Sequence, residues 1–242
     1  MVNKTCALSL ILPAYNEAAR LPPFLATVHA YLDGLDQTYE VIVVDDGSRD
    51  SLAGDLERQA LTWPQLRVLR HLENRGKGAA VRTGVLASRG ELLLFADADG
   101  ATPIEEHGRL AAAIRAGADV AIGSRRLPGP GLQRQRHLFR GLAGGIFALI
   151  ARLVLGLPVS DTQCGFKMFC GEAGRRLFSI TRENRFLFDL ELLAAARRLG
   201  YCTVEVPINW REIPFGQLHP LREFPRVVSG LWRLRSERRK AG

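Results

Sequence analysis

The sequence predicts an α/β protein with a mostly parallel central sheet, helices on the faces of the sheet and amphipathic helices toward the C-terminus. Apolar runs of strand length alternate with helix-like segments, and several of the runs end in clusters of polar residues. Such alternation is typical of βαβ units, which place their strands parallel in one sheet. The chain has 242 residues, 47% of them hydrophobic, which is enough for one large domain with a sizeable core.

The strand and helix segments follow one another along the whole chain. Strand-like runs lie at about residues 7–12, 40–45, 66–70 and 91–96, and helix-like segments at about 17–33, 50–61, 76–89 and 103–116. Further on we expect strands at about 119–124 and 201–208, an apolar helix at 139–157, a loop leading into a strand at 161–169 and a helix at 186–199. These elements predict a domain over residues 1–221, followed by a basic amphipathic helix or tail at 222–242.

Three of the predicted strands end in polar clusters, at Pro13–Glu17, Asp45–Ser48 and Asp97–Gly100. Ligands of open parallel sheets bind beyond the carboxyl ends of the strands, so we expect the clusters to line one crevice. Asp97 and Asp99 are two residues apart, and in an extended segment they point to the same side. Two close carboxylates repel each other unless a cation or proton neutralises them, and Mg²⁺ prefers such oxygen ligands. A turn or a helix cap is the alternative role for this pair.

The glycines of Asn74–Gly78 suggest a phosphate-binding loop, but the known patterns do not fit. A P-loop requires glycine where this chain has His71, and Ser or Thr where it has Gly78. The dinucleotide fingerprint requires a third glycine, and that position is Val81. The segment is therefore either a flexible turn at a helix N-terminus or a contact to phosphate or sugar. An NAD enzyme and a P-loop NTPase are disfavoured.

The formal net charge of +8 predicts an anionic partner. A nucleic acid is disfavoured because no recognised binding module or aromatic platform accompanies the charge. The four cysteines contain no Cys-x-x-Cys pair, which argues against zinc and for reduced thiols in the cytoplasm. The N-terminus has no signal-peptide pattern.

The polar motifs, taken in order, resemble family 2 glycosyltransferases of the GT-A fold. The matching segments are Pro13-Ala-Tyr-Asn-Glu17, Val44-Asp-Asp-Gly-Ser48, Asn74-x-Gly-Lys-Gly78 and Asp97-Ala-Asp99. Within that family, Asp97–Thr102, Asp161–Phe169 and Phe188–Leu193 are similar to the dolichyl-phosphate β-glucosyltransferases. Related mannosyl enzymes often carry a glutamine metal ligand where this chain has Ala101, which favours UDP-glucose over GDP-mannose as the donor.

The resemblance implies a donor site for the nucleotide sugar. Its predicted residues are Pro13, Ala14, Tyr15 and Glu17 at the nucleoside, Asp45 at the base or ribose, Lys77, Asp97 at the ribose or metal, and Asp99 at the metal. Mg²⁺ or Mn²⁺ is the expected cofactor. A turn at Pro13 and Asn16, with Glu17 in the first helical turn, is the plain structural alternative.

The resemblance also implies an acceptor site. Its predicted residues are Arg125, Arg134 and Arg136 for phosphate, Gln163 for the acceptor, Asp161 as a base or an orienting group, and Asp189 and Glu191. The catalytic residues are expected to be Asp161, Asp99 and Arg125. Arg126 could equally belong to an exposed charged turn, Asp161 could be a cap, and Asp189 and Glu191 could be exposed helix residues.

The implied reaction transfers glucose from UDP-glucose to a polyprenyl or dolichyl phosphate with inversion. A phosphate monoester is already largely dianionic at neutral pH, so it needs a strong base less than a sugar hydroxyl does. Three alternatives remain open at this stage. They are another donor such as GDP-mannose or a second UDP-sugar, a soluble or glycan acceptor, and a non-catalytic sugar-nucleotide-binding protein.

A lipid acceptor requires contact with a membrane. Arg152 interrupts the apolar stretch Leu142–Ala151, which is too short to span about 30 Å of hydrocarbon. The helix at 139–157 could lie at the membrane interface, in the core or in a homo-oligomer contact. The basic tail suits an anionic membrane surface, although a solvated tail is the alternative. We therefore expect a cytoplasmic protein, peripheral at the inner face of a membrane.

Overall fold

The computed structural model describes residues 6–135, 156–157 and 159–213. The predictions for Arg136, for most of the apolar helix at 139–157 and for the tail at 222–242 lie outside the described residues. Within them, the predicted alternation of strands and helices is confirmed, and the α/β class with it.

Among the described residues, seven strands form the central sheet. They are β1 (Leu8–Ala14), β2 (Tyr39–Asp45), β3 (Leu66–Arg70), β4 (Leu92–Ala96), β5 (Val120–Ser124), β7 (Phe166–Cys170) and β8 (Thr203–Pro207). Their order is β3-β2-β1-β4-β7-β5-β8. Strand β7 runs antiparallel to both of its neighbours, and the other pairings are parallel. The sheet is therefore mostly parallel, as predicted. A second, two-stranded sheet pairs β6 (Arg134–Gln135) with β9 (Trp210–Arg211).

In the part of the chain that the structure describes, six α-helices connect and flank the strands. They are α1 (Leu21–Asp33), α2 (Leu52–Thr62), α3 (Lys77–Ala87), α4 (His107–Arg115), α5 (Gly171–Ile180) and α6 (Phe188–Arg198), and a short 3₁₀ helix at Ile104–Glu106 precedes α4. Among the described residues, no helix combines the length and the apolar character needed to cross a bilayer.

The core forms around the central strands. Strand β1 is buried along its whole length, and Val41, Val43, Leu93 and Leu94 beside it are fully inaccessible to solvent. Near-continuous apolar strands are expected where helices cover both faces of a parallel sheet. Strands β2 and β4 lie on opposite sides of β1. The chain adds β2 and β3 on one side and then returns to add β4 on the other, so the direction of winding changes between β1 and β4. Such a switch point opens a crevice at the carboxyl ends of the strands, where a ligand can bind.

Candidate active site

The structure places the three polar clusters at one edge of the sheet, and their shared role in binding stays a prediction. Strands β2, β1 and β4 are parallel neighbours whose carboxyl ends meet at the same edge. Asp45 is the last residue of β2, and Tyr15 and Asp97 directly follow β1 and β4. Two strand spacings separate β2 from β4, which puts their ends roughly 10 Å apart. This span suits an extended ligand with a base at one end and a diphosphate at the other.

The two carboxylates after β4 are held by different contacts. The Asp97 amide donates to the Gly165 carbonyl at 2.9 Å, and the Nζ of Lys77 lies 2.5 Å from Asp97 Oδ1. Asp99 accepts a hydrogen bond from the Ala101 amide at 3.0 Å. Burial raises the pKa of Asp99, and the nearby negative charge of Asp97 raises it further. The site therefore contains a carboxylate that is destabilised in its charged form.

Glu17 adds a further negative group on the β1 side. Burial raises its pKa, and the charges of Asp99 and Asp97 act in the same direction. Arg20 opposes this effect, since its Nε donates to Glu17 Oε2 at 2.6 Å. Arg20 was not among the predicted residues because its role depends on where α1 begins.

The carboxylates fit a divalent cation. Asp97 and Asp99 provide hard oxygen ligands, and a cation would relieve the repulsion that raises the pKa of Asp99. In the described ranges, His, Cys, Asp and Glu side chains form no group of three or more able to hold a metal by themselves. The protein would therefore supply two carboxylates and leave further positions to substrate phosphates, as is usual for Mg²⁺.

Lys77 contributes a fixed positive charge to the same place. It is the first residue of α3, and its Nζ lies 5.2 Å from the centre of the Phe95 ring. Burial alone would lower its pKa, but Asp97 and Asp189 outweigh burial, and the pKa is raised. Lys77 therefore stays protonated near neutral pH.

Asp46 holds the loop that leads to Lys77, a role that was not predicted from the sequence. Its carboxylate accepts hydrogen bonds from the amides of Arg75 at 3.0 Å and Gly76 at 2.7 Å. The Nδ1 of His71 lies 2.6 Å from the same carboxylate, and His71 Nε2 lies 2.9 Å from Thr83. These contacts join the ends of β2 and β3 to the start of α3, and so they fix where Lys77 begins its helix.

Close packing accounts for the two glycines of this loop. Gly76 has a φ of +102°, and a Cβ there would lie 2.5 Å from the Asn184 carbonyl oxygen. A Cβ on Gly78 would lie 2.6 Å from the Glu183 carbonyl oxygen. The glycine spacing that suggested a phosphate loop thus allows residues 76–78 to lie directly against residues 183–184.

A cavity of about 180 Å³ lies beside the ends of β1 and β2. It is lined by Tyr15, Gly47, Ser48, Arg49, Arg70, Leu72, Glu73 and Asn74. Asp45 is fully buried next to it; its Oδ1 accepts the Ser48 amide at 2.8 Å, and its Oδ2 lies 3.2 Å from Arg70 Nε. Pro13 and Ala14 are buried at the end of β1.

The turn after β1 is strained. Asn16 has a φ of +53°, which is uncommon for a residue other than glycine. Its amide donates to Ser48 Oγ, and its side-chain oxygen accepts the Arg49 amide, each at 2.9 Å. These bonds hold the turn against the β2 loop and so form one wall of the cavity.

Arg125 and Asp161 form a closely bonded pair on the other side of β4. Arg125 Nε and Nη2 donate to the two oxygens of Asp161 at 2.8 and 2.7 Å, and the Arg125 amide donates at 2.9 Å. Burial would raise the pKa of Asp161, but the bonds from Arg125 outweigh it and lower the pKa. The Trp210 ring lies 5.4 Å from the guanidinium carbon. Asp161 is thus ionised, and both of its carboxylate oxygens accept hydrogen bonds from Arg125.

Two polar groups beside Asp161 have no hydrogen-bond partner among the described residues. Thr162 Oγ1 and Gln163 Nε2 are buried and make no hydrogen bond within the described part of the chain. Buried polar atoms of this kind usually have a partner, so a ligand with acceptor oxygens would complete the loop.

The other predicted acceptor residues make contacts within the protein. Arg134 donates to the backbone carbonyls of Ser124, Leu127 and Ile208. Asp189 accepts from the fully buried Lys167 at 2.6 Å, and burial raises its pKa. Glu191 accepts the amides of residues 182 and 183. The acceptor roles of these three side chains stay predictions.

Comparison with known proteins agrees with this geometry. The model of glycosyl transferase family 2 matches residues 9–178. A dolichyl-phosphate beta-glucosyltransferase of Drosophila melanogaster is 38% identical over 261 residues, which cover 96% of this chain and 79% of the relative. The human protein of that name is 35% identical over 261 residues, covering 98% and 81%. One from Trichomonas vaginalis is 41% identical over 217 residues, 85% of this chain, and the matched part spans 64% of that relative.

Solved structures share the fold. Glucosyl-3-phosphoglycerate synthase from Mycobacterium tuberculosis, in complex with Mn²⁺ and UDP-glucose, has a TM-score of 0.69 at 23% identity, covering 95% of this chain and 79% of that one. Its complex with Mn²⁺, UDP and phosphoglyceric acid has a TM-score of 0.68 at 21% identity, covering 95% and 78%. The predicted GT-A architecture is confirmed by this likeness. The family model and the relatives together show that the chain belongs to glycosyl transferase family 2.

Proposed function

We propose that this chain is a metal-dependent, inverting glycosyltransferase that moves glucose from UDP-glucose to a polyprenyl or dolichyl phosphate. The observation that carries the proposal is the position of Asp97, Asp99 and Lys77 at the switch point of the sheet, in a chain whose relatives are named dolichyl-phosphate beta-glucosyltransferases. The donor would lie along the carboxyl edge, from the cavity near Asp45 to the carboxylates after β4.

At the nucleoside end, the cavity would take the uracil and ribose. Asp45 Oδ2 is paired with Arg70 Nε at 3.2 Å and accepts no hydrogen bond within the described part, so it would keep the capacity to accept one from the base. Pro13, Ala14 and Tyr15 would form the wall supplied by β1, and Glu17 would lie toward the ribose. Structures of the Mycobacterium tuberculosis synthase contain UDP-glucose, which fits a uridine nucleotide in this fold.

At the diphosphate end, Asp99 and Asp97 would hold Mg²⁺ or Mn²⁺. When bound, the cation supplies positive charge to the departing UDP. Lys77 provides a second, permanent charge, since its pKa is raised by its carboxylate neighbours. Charge that is already in place where negative charge develops stabilises the transition state without further reorganisation.

On the acceptor side, Arg125 would bind the phosphate that attacks the sugar. The nucleophile is an anionic oxygen with a pKa of about 6, so no strong base is required. Asp161 is a poor base because its pKa is lowered and Arg125 uses both of its oxygens. We assign it the orienting role. Thr162 and Gln163 would donate their unused hydrogen bonds to the phosphate, and Asp189 and Glu191 would support this side through their neighbours.

We further propose that the protein contacts an anionic membrane surface. The acceptor's hydrocarbon chain lies in the bilayer, so the crevice must open close to lipid headgroups. Exposed arginines, Arg75, Arg182 and Arg185, occur on the two loops that meet beside Lys77. The basic sequence at 222–242 would add to this attraction.

A panel assay tests the proposal. The full chain is incubated with Mn²⁺ or Mg²⁺, polyprenyl phosphate and each of UDP-glucose, UDP-GlcNAc and GDP-mannose. Glucolipid formed from UDP-glucose alone is the expected result. Three other outcomes would each overturn the proposal in favour of an alternative. They are transfer from GDP-mannose, transfer only to a soluble or glycan acceptor, and binding of a nucleotide sugar with no transfer.

A further inference from the structure

Glu205 on β8 holds the turn that precedes Asp161. Its Oε1 accepts hydrogen bonds from the Asp161 amide at 2.8 Å and from Ser160 Oγ at 2.9 Å. Its Oε2 accepts the Ser160 amide at 2.7 Å. One carboxylate thus binds two successive backbone amides and a hydroxyl. Hydrogen bonds to an ionised acceptor are shorter and stronger than neutral ones, so this turn is firmly placed.

The same turn places Arg125. The carboxylate of Asp161, whose backbone Glu205 holds, accepts three hydrogen bonds from Arg125. Strand β8 pairs in parallel with β5, and Glu205 lies opposite Ile122 in that ladder, three residues before Arg125. Glu205 and Arg125 are therefore fixed twice, through the sheet and through the Ser160–Asp161 turn.

We propose that Glu205 is a positioning residue for transfer, acting through Asp161 on Arg125. This inference rests on the proposed function, in which Arg125 binds the acceptor phosphate. An Arg125 guanidinium that is not held by Asp161 can adopt several rotamers, and few of them point toward an acceptor. A misplacement of about 1 Å in a reacting group can cost roughly 100-fold in rate. The carboxylate of Glu205 thus matters for catalysis without touching either substrate.

The substitution Glu205→Gln tests the carboxylate itself. A glutamine keeps the size but offers only one acceptor oxygen, and its amide nitrogen would face a donor of the turn. We expect a loss of about 10- to 100-fold in kcat/KM for polyprenyl phosphate, with the KM for UDP-glucose unchanged. The control is Glu57→Gln on the exposed face of α2, which should leave both parameters unchanged. A Glu205→Gln protein with wild-type kinetics would overturn the proposal.

A double-mutant cycle separates positioning from general damage. Glu205→Gln is measured alone, and again in an Arg125→Ala background. If Glu205 acts through Arg125, its effect should disappear in that background, because coupled residues are not additive. Full additivity would overturn the inference while leaving the proposed function intact. Wild-type turnover of Arg125→Ala alone would instead contradict the acceptor role of Arg125, and the inference would fail with it.

Ser160→Ala provides a second variant in case Glu205→Gln folds poorly. It removes only the hydroxyl bond to Glu205 and keeps both amide bonds. We expect a smaller loss, about 3- to 10-fold, on the acceptor KM or kcat, and again none in the Arg125→Ala background. A thermal melt of each variant reports folding. A loss that persists without Arg125 would overturn the proposal here as well.

Discussion

Gly165→Ala should separate the stability of this fold from the function of its site. Gly165 precedes β7, and its carbonyl accepts the Asp97 amide. A Cβ at this position would lie 2.0 Å from Asp97 Oδ2 and 2.2 Å from its Cγ. Non-bonded atoms sit roughly 3.5 Å apart, so the carboxylate must move by roughly 1.5 Å. That movement changes the distance between the Asp97 carboxylate and Lys77, its ion-pair partner.

Gly165→Ala is expected to lower the free energy of unfolding only slightly but to reduce turnover strongly. The obstructing group is the end of a side chain, which can rotate, so we expect destabilisation at the low end of the 1–3 kcal/mol typical of overpacking. For a protein of this size, about 1 kcal/mol lowers Tm by roughly 2–4 °C. A shift above 1 Å in a group that holds the metal or the donor should cost about 100-fold in kcat/KM.

The assay measures glucose transfer, the thermal shift caused by Mn²⁺, and Tm without metal. Gly108→Ala is the matched control, because no atom beyond its own helix lies within 4 Å of a Cβ there. Gly108 lies in the first turn of α4, where alanine is favoured over glycine as a helix former, so this variant should keep full activity and melt slightly higher. Wild-type turnover and Mn²⁺ response in Gly165→Ala would refute the placement of Asp97 in the site.

Four further predictions concern charged groups of the site and of the tail. Asp99→Asn should reduce turnover by about 100-fold or more. It should also abolish the rise in Tm that Mn²⁺ causes, which is checked by thermal melts with and without the metal. In the wild type, the pKa of Asp99 is raised above 3.8; metal-free stability should therefore fall as pH rises through that pKa, and the Mn²⁺ shift should weaken as pH falls toward it. Lys77→Met should raise the KM for UDP-glucose about tenfold, by initial-rate kinetics. Removing residues 222–242 should reduce flotation with anionic vesicles; unchanged flotation would exclude the tail.

The sequence predicted best what depends on local pattern. Apolar runs and the polar residues at their ends located β1, β2 and β4, and parallel pairing then brought Tyr15, Asp45 and Asp97 to one edge. The antiparallel direction of β7 was not predicted, because an apolar run carries no sign of direction. Helix α5 was also missed.

Helix α5 shows why local propensity can mislead. Gly171 and Gly174 lower its intrinsic helix preference. In the fold, a Cβ on Gly171 would lie 2.6 Å from the Gly90 carbonyl, and one on Gly174 would lie 2.9 Å from the Phe169 side chain. The glycines thus serve the packing of the helix on the sheet. Such a requirement belongs to the tertiary structure and is not contained in the intrinsic helix propensity of the segment.

The supporting residues of the site were missed for a related reason. Asp46, Glu205 and Gly165 act on segments that are distant in sequence: Asp46 on Gly76, Glu205 on Ser160, and Gly165 on Asp97. A carboxylate followed by glycine, as at Asp46, reads locally as a turn. Only the tertiary arrangement of β2, β3 and α3 shows that Asp46 anchors the loop before Lys77.

A double-mutant cycle with Asp97 can show how Gly165→Ala reduces turnover. If the alanine acts only by displacing the Asp97 carboxylate, it should add nothing once that carboxylate is removed. Asp97→Ala and the double variant Asp97→Ala/Gly165→Ala should then turn over equally slowly, whereas Gly165→Ala alone loses about 100-fold, by the estimate for a displaced group. A further loss in the double variant would mean that Gly165 supports the site by another route, such as the backbone bond to Asp97. Because residues that share one contact are non-additive, the cycle decides between these two roles.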